Sequence, residues 1–338
     1  MTEILMIPEN SINDPWDKVE TIAKEIKAKR QAVDYREIFK ERQCIFLGDN
    51  HANSSIREHI GHNASNMKAA GVTHFAIEAD DNGKPVFDKL CQGEQVDLSN
   101  VDVGPAESAA RLSKLGEMVR AAASGSALSS DTNDAYAGRA GDEHVIRSVA
   151  KVGLHIVPID MDQSTKPTGE ERERHLSDGL LRIYQQYPDA KVAVLIGGFH
   201  TLKRYKSEGI ETVAQRVANA GYKTASVQFA GGRSDSPMNM TEGARNAGVA
   251  NEEFIIDLNP YKTSRSVPYG PGEADYVIHL AQIRDPNKDS MNSHSVSRHA
   301  SRPHIIADFL ALAKLVDDPS MKIPKQTKGS DVNPSENS

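Results

Sequence analysis

The chain predicts an α/β fold: a mainly parallel central sheet with helices on both faces. Three observations carry that prediction. Short runs at 44–48, 74–78, 155–160, 192–197 and 224–229 are largely apolar, as in strands covered on both faces. The segments between most of them space their apolar residues at helical intervals. The stretch from 44 to 78 has the length of a strand–helix–strand unit, and that crossover joins parallel strands.

The elements follow in order. Residues 1–15 read as a loose leader. Trp16, Val19, Ile22 and Ile26 fall on one helical face, so a helix is expected over 16–30 and a shorter one over 35–42. After the strand at 44–48, Ser54 or Ser55 caps a helix over 54–70, which Gly71 stops. The second strand follows directly. Residues 81–141 then form a long helical and loop insertion, with a helix at 107–123 and a Ser-, Gly-, Asp- and Asn-rich loop at 124–141. An insertion of this kind between sheet strands often covers the strand ends. Further helices are expected at 143–152, 170–187 and 210–220, stopped by Gly153, Pro188 and Gly221. Beyond 232 the pattern weakens. A strand at 274–280 suits the sheet edge, 287–301 is polar, and 304–316 has one apolar helical face. The polar tail from 322 reads as disordered. The expected division is a leader and helix at 1–40, an α/β core at 41–235, an extension packed on it at 236–321, and the tail at 322–338.

Composition narrows the function. The 338 residues carry a net charge of −7 and two cysteines, Cys44 and Cys91. That charge gives no global attraction to nucleic acid or anionic lipid. Two thiols make neither a disulfide scaffold nor a thiolate zinc site. No apolar run approaches the roughly 20 residues needed to cross a bilayer, and the first residues lack a signal-peptide pattern. The expected location is cytoplasmic, or a host cell reached by a route without a cleavable signal. Neither a Gly-x-Ser-x-Gly elbow nor a Walker sequence is present, which counts against serine hydrolases of that type and P-loop nucleotidases.

The chemistry gathers at the strand ends. Gly48-Asp49-Asn50-His51 and Gly197-Gly198-Phe199-His200 each follow an apolar strand. The second strand ends in Glu78 and Asp80, the third in Asp160 and Asp162. In a parallel sheet all of them reach the carboxyl edge, where open α/β sheets bind ligands. A glycine there serves either a left-handed backbone or the close approach of another group. His51, His200, Glu78 and Asp49 are the candidate catalytic residues, with the imidazoles as general acid and base. Asp80 and Asp160 are candidates for binding substrate. His51, Glu78 and His200 also match two imidazoles and a carboxylate around a hydrolytic divalent metal. Structural alternatives stand beside these roles. Either histidine can cap a carbonyl, Asp49 can cap the following helix, and Asp160 can close a turn. His59 and His62, three apart on a helix, read as a solvated face.

The order of these motifs resembles a known superfamily. Leu47-Gly48-Asp49-Asn50-His51, the helix ending Ala69-Ala70-Gly71, Phe75-Ala76-Ile77-Glu78 and the later Gly197-Gly198-Phe199-His200 are similar to motifs of the erythromycin esterase, ChaN-like and TIKI/TraB/PrgY group, which includes a domain of Pasteurella multocida toxin. The resemblance spans about residues 40–235. Asp49 stands where many members have Glu, shortening that arm by roughly 1.3–1.5 Å. Arg139 matches an Arg found before the third strand in several members, and is a third candidate for substrate binding. The resemblance implies a hydrolase, esterase-like or metal-dependent, acting on a small molecule or peptide. Some members are bacterial virulence effectors, which adds a host protein as a partner. Others bind haem, a lesser expectation here because no Tyr or Cys is placed to be an axial ligand. The alternative function is ligand binding or host interaction without catalysis.

Overall fold

The computed structural model describes residues 18–50, 53–98, 101, 133–162, 165, 167–205, 210–231, 240–261 and 272–281, with side chains only from 142 onward in the helix that begins at 133. The expected leader, most of the 81–141 insertion with its helix at 107–123, the segments at 287–301 and 304–316, and the tail lie outside the described residues. So do His51 and the side chain of Arg139.

Among the described residues seven strands form one sheet: β1 (Cys44–Asp49), β2 (His74–Asp80), β3 (His155–Asp160), β4 (Val192–Gly197), β5 (Thr224–Gly231), β6 (Phe254–Asp257) and β7 (Tyr276–Leu280). Their order is β3-β2-β4-β1-β5-β7-β6. Every pairing is parallel except that of β6 with β7. The expected parallel α/β architecture is what the chain adopts. The strand at 274–280 is not the edge, however, because β6 lies outside it. A strand of four residues, Phe254-Ile255-Ile256-Asp257, is too short for its alternation to stand out.

The helices are α1 (Val19–Lys29), α2 (Tyr35–Phe39), α3 (Ser54–His62), α4 (Ala64–Ala69), α5 (Lys84–Cys91), α6 (Asn133–Lys151), α7 (Gly169–Gln186), α8 (Val213–Asn219) and α9 (Met240–Ala247). The single helix expected over 54–70 is two, broken at Asn63, a residue whose side chain competes for backbone hydrogen bonds. Its cap is Asn53, which accepts from the Ser55 N–H, and not Ser54 or Ser55. Capping boxes at Thr168/Glu171 and Thr212/Gln215 start α7 and α8. Gly71, Gly153 and Gly221 end helices with φ of 89°, 75° and 95°, where a Cβ would be strained. α6 begins at Asn133, ten residues before the expected start and inside the stretch expected as loop, and two helices, α5 and α9, were not expected. Each has only eight residues, about two turns, too short for a clear repeat.

Strand alternation sorts the core into two faces. On the first, Ile45, Leu47, Phe75, Ile77, Ala193, Leu195 and Val227 pack with residues of α2 to α6. On the second, Phe46, Ala76, Val194 and Ile196 meet Leu176, Leu180 and Ile183 of α7 and Val213 and Val217 of α8. Farther along the same face, Ala230 and Val277 pack with Ile22 and Ile26 of α1 and Met240 and Ala244 of α9. Each fully buried Ile, Leu or Phe contributes roughly 1.5–3 kcal/mol, so the strand ends are held by a rigid frame.

The two edges are differently finished. β3 carries Pro158, opposite Ile77 of β2, and its pairing shifts register between Ile77 and Asp80. A proline is tolerated there because the strand is outermost. At the other end Gln31 bridges to Ile255 of β6, exchanging N–H to O bonds of 3.0 and 2.9 Å.

Candidate active site

The helices following β1 and β2 pack on the first face, and those following β3 and β4 on the second. β1 and β4 are neighbours, so the chain leaves them in opposite directions. In such sheets that divergence, beyond the carboxyl ends, marks the usual ligand position. The two glycine–histidine segments begin at this edge one residue out of step: Asp49, not Gly48, lies opposite Gly197.

Glu78 lies near the carboxyl end of β2, on the second-face side. Its neighbours on β2, Ile77 and Ala79, belong to the first-face core, so alternation turns Glu78 to the other face. The side chain is 3% exposed. One oxygen accepts from the Arg172 guanidinium, and the other from the Gly197 N–H at 2.7 Å. Arg172, from the first turn of α7, also donates to Asp160 at 2.6 and 3.2 Å. A buried carboxylate is costly unless paired, and here the last residue of β4 and the first turn of α7 supply the pairing. Burial disfavours the charged Arg172, but Glu78 and Asp160 more than offset it and raise its pKa.

His200 sits beside this cluster. It lies in the 3-10 turn Gly198–Thr201 and is 8% exposed. Its Nε2 is 3.9 Å from the Glu78 carboxylate. Its Nδ1 is hydrogen-bonded to Glu173, whose other oxygen accepts the Val213 N–H at 2.8 Å. Because a carboxylate only accepts, Nδ1 donates to Glu173, and Nε2 is the ring nitrogen turned toward Glu78. A histidine with one nitrogen fixed by a carboxylate and the other left without a direct side-chain hydrogen bond can serve as a general base.

The first face holds a separate group. Asp49 accepts from Arg57 of α3 at 2.6 Å, and the Arg57 Nε lies 2.6 Å from Asp142 of α6. Burial works against the Arg57 charge, but Asp49 and Asp142 hold its pKa above the usual value. Asp49 therefore turns away from His200, across the sheet. Asp80 caps the 3-10 turn Asp81–Gly83, its oxygens taken by the Asn82 N–H at 3.0 Å and the Asn82 amide at 3.1 Å. Asp162 is exposed. Of the residues expected at the rim, the structure brings Glu78, Asp160 and His200 together. His59 is not solvated as expected: it is 4% exposed, between the Tyr35 hydroxyl at 3.0 Å and Glu253 at 2.9 Å.

Arg172 and Glu173 were missed by the sequence reading. The signal was present: Glu173 lies three and seven residues before Leu176 and Leu180, which puts a carboxylate on the apolar stripe of its helix.

The expected metal set of His51, Glu78 and His200 includes a histidine outside the described residues. Among them no group of three His, Cys, Asp or Glu is arranged to hold one. Both oxygens of Glu78 already serve Arg172 and Gly197, and a guanidinium at the same oxygen opposes a second cation.

No protein-family model matches the chain, and no curated protein does. Solved structures do. A succinoglycan biosynthesis protein is similar at 13% identity, over 77% of this chain and 96% of that one, with a TM-score of 0.44. The type III effector HopBA1 is similar at 14% identity, over 70% and 87%, with a TM-score of 0.37. ChaN of Campylobacter jejuni, described as binding haem cofacially, is similar at 12% identity, over 72% and 90%, with a TM-score of 0.35. Likenesses at this level leave the chemistry to the side chains themselves. None of the described helices is long and apolar enough to cross a membrane.

Proposed function

We propose that the chain is a hydrolase in which His200 activates water against an ester or amide of a small molecule or peptide. The observation that carries this is the Glu173–His200–Glu78 line. Glu173 holds Nδ1, and Nε2 faces Glu78 at 3.9 Å. That distance is too long for a direct hydrogen bond and suits one water shared between the two. In the proposed step Nε2 takes the water proton as the oxygen attacks the carbonyl, and Glu173 stabilises the imidazolium that forms. In this reading Arg172, whose side chain is 19% exposed, stabilises the developing oxyanion. The proton then passes from Nε2 to the leaving group.

The motif resemblance supports the same chemistry, and with it an effector setting in which the substrate is a host molecule. The test is hydrolysis of a panel of ester, amide and phosphate substrates by the purified chain. Turnover should fall at least about 10²-fold in His200→Ala and Glu78→Gln, with circular dichroism unchanged. Undiminished turnover in either variant, or none in the unaltered chain across the panel, would leave a binding protein as the better reading.

A further inference from the structure

Gly48 opens the first glycine–histidine segment, yet its backbone is not left-handed. What it lacks is room for a side chain. A Cβ there would lie 2.7 Å from the Oε1 and 2.9 Å from the Nε2 of Gln228. Gln228 comes from β5, on the far side of β1 from β4, and is 5% exposed. It lies across Gly48 and donates to the Thr201 hydroxyl at 2.5 Å and to the Gly198 carbonyl at 3.4 Å. Those two residues begin and end the 3-10 turn that carries His200. Beside it, Ser226 donates to the Thr201 carbonyl at 2.5 Å. Glu173 holds the imidazole itself, while β5 holds the turn on which it stands.

We propose that Gln228, lodged in the slot left by Gly48, is a positioning residue for His200, so that the glycine of the first segment serves the histidine of the second. The slot matters more than the strand. The atoms a methyl group would meet first belong to a flexible side-chain end, so Gly48→Ala displaces the amide and spares the backbone. The strand stays, and the bond to Thr201 goes. This rests on His200 being the working imidazole, but its test reads the ring and not turnover, so failure of the hydrolase reading leaves it standing.

The experiment is NMR of the full chain labelled with 13C,15N-histidine, with the His200 ring assigned by its loss in His200→Gln. Gly48→Ala, Gln228→Ala and Thr201→Val should move the His200 ring resonances in one direction. Thr201→Ser, which keeps the hydroxyl, should leave them in place. The decisive variant is the double one. If the glycine acts through Gln228, then Gly48→Ala added to Gln228→Ala changes nothing more, because the slot is already empty. Summed shifts would mean that Gly48 acts through its own segment, and would overturn the proposal. An unmoved His200 in Gln228→Ala would overturn it even if Gly48→Ala failed to fold.

Discussion

Glu173→Gln replaces one oxygen by an NH2 group at nearly constant volume. In the wild type the two oxygens accept from two donors, the His200 Nδ1–H and the Val213 N–H. An amide has one acceptor, so one donor must face an NH2 group. The backbone N–H cannot change, but the imidazole can move its proton. The amide oxygen therefore keeps Val213, the NH2 group turns to His200, and the ring switches to the Nε2–H tautomer. Its lone pair then points away from Glu78, and the proposed base is disabled with its position intact. The corresponding amide substitution in serine-protease triads lowers turnover by about 10⁴. A loss of roughly 10²–10⁴ is expected here, about 3–5 kcal/mol at 1.36 kcal/mol per decade. Two measurements are needed, the hydrolytic rate and the His200 tautomer by 15N shifts. Turnover unchanged in a ring shown to have switched would refute the reasoning. An unswitched ring with lost activity would refute it as well.

Other outcomes follow from the same geometry. Arg57→Met removes a buried cation from between Asp49 and Asp142, and should cost roughly 3–5 kcal/mol by denaturant midpoint; a cost below about 1 kcal/mol would show that the two carboxylates do not depend on it. Extensive chelation should leave any hydrolytic rate unchanged, and elemental analysis of the active protein should find less than stoichiometric metal; loss of rate restored by zinc or manganese would reverse this. His74, at the amino edge of β2, has its pKa pushed down from 6.5 to about 4, by burial first and then by His155 and Lys68. Its unfolded form binds more protons between those values, so stability should decline as pH falls from about 6.5 to 4. His74→Phe should flatten that decline in thermal melts, and an equal slope in the variant would assign it to other groups.

The strands were legible because a parallel sheet buries both faces, which leaves runs such as Val192-Ala193-Val194-Leu195-Ile196 with no polar interruption. Helix ends marked by glycine were legible for the equally local reason that a left-handed backbone selects it. The break at Asn63 was less so, because propensity alone does not decide whether a helix continues. At the site, Glu78 was readable as a carboxylate closing an apolar strand. Arg172 and Glu173 were hidden among the charges of Glu170-Glu171-Arg172-Glu173-Arg174, where only the core behind the helix singles out two of five. Nor does sequence say which face a strand end turns to. Asp49 and Glu78 look alike on paper, and one residue of phase puts them on opposite sides of the sheet.

The finish of the two sheet edges bears on solubility at high concentration. An open strand edge is a template on which a second copy can continue the ladder. At β3 the ring of Pro158 and the register shift toward Asp80 spoil that template. At β6 the backbone of Ile255 is already satisfied by Gln31. Neither described edge offers a clean run of free donors and acceptors, so copies of this sheet have little means of joining end to end into fibres. Replacing Pro158 by Val would restore a donor and a strand-favouring residue at one edge, and thioflavin-positive growth should then appear sooner than in the unaltered chain.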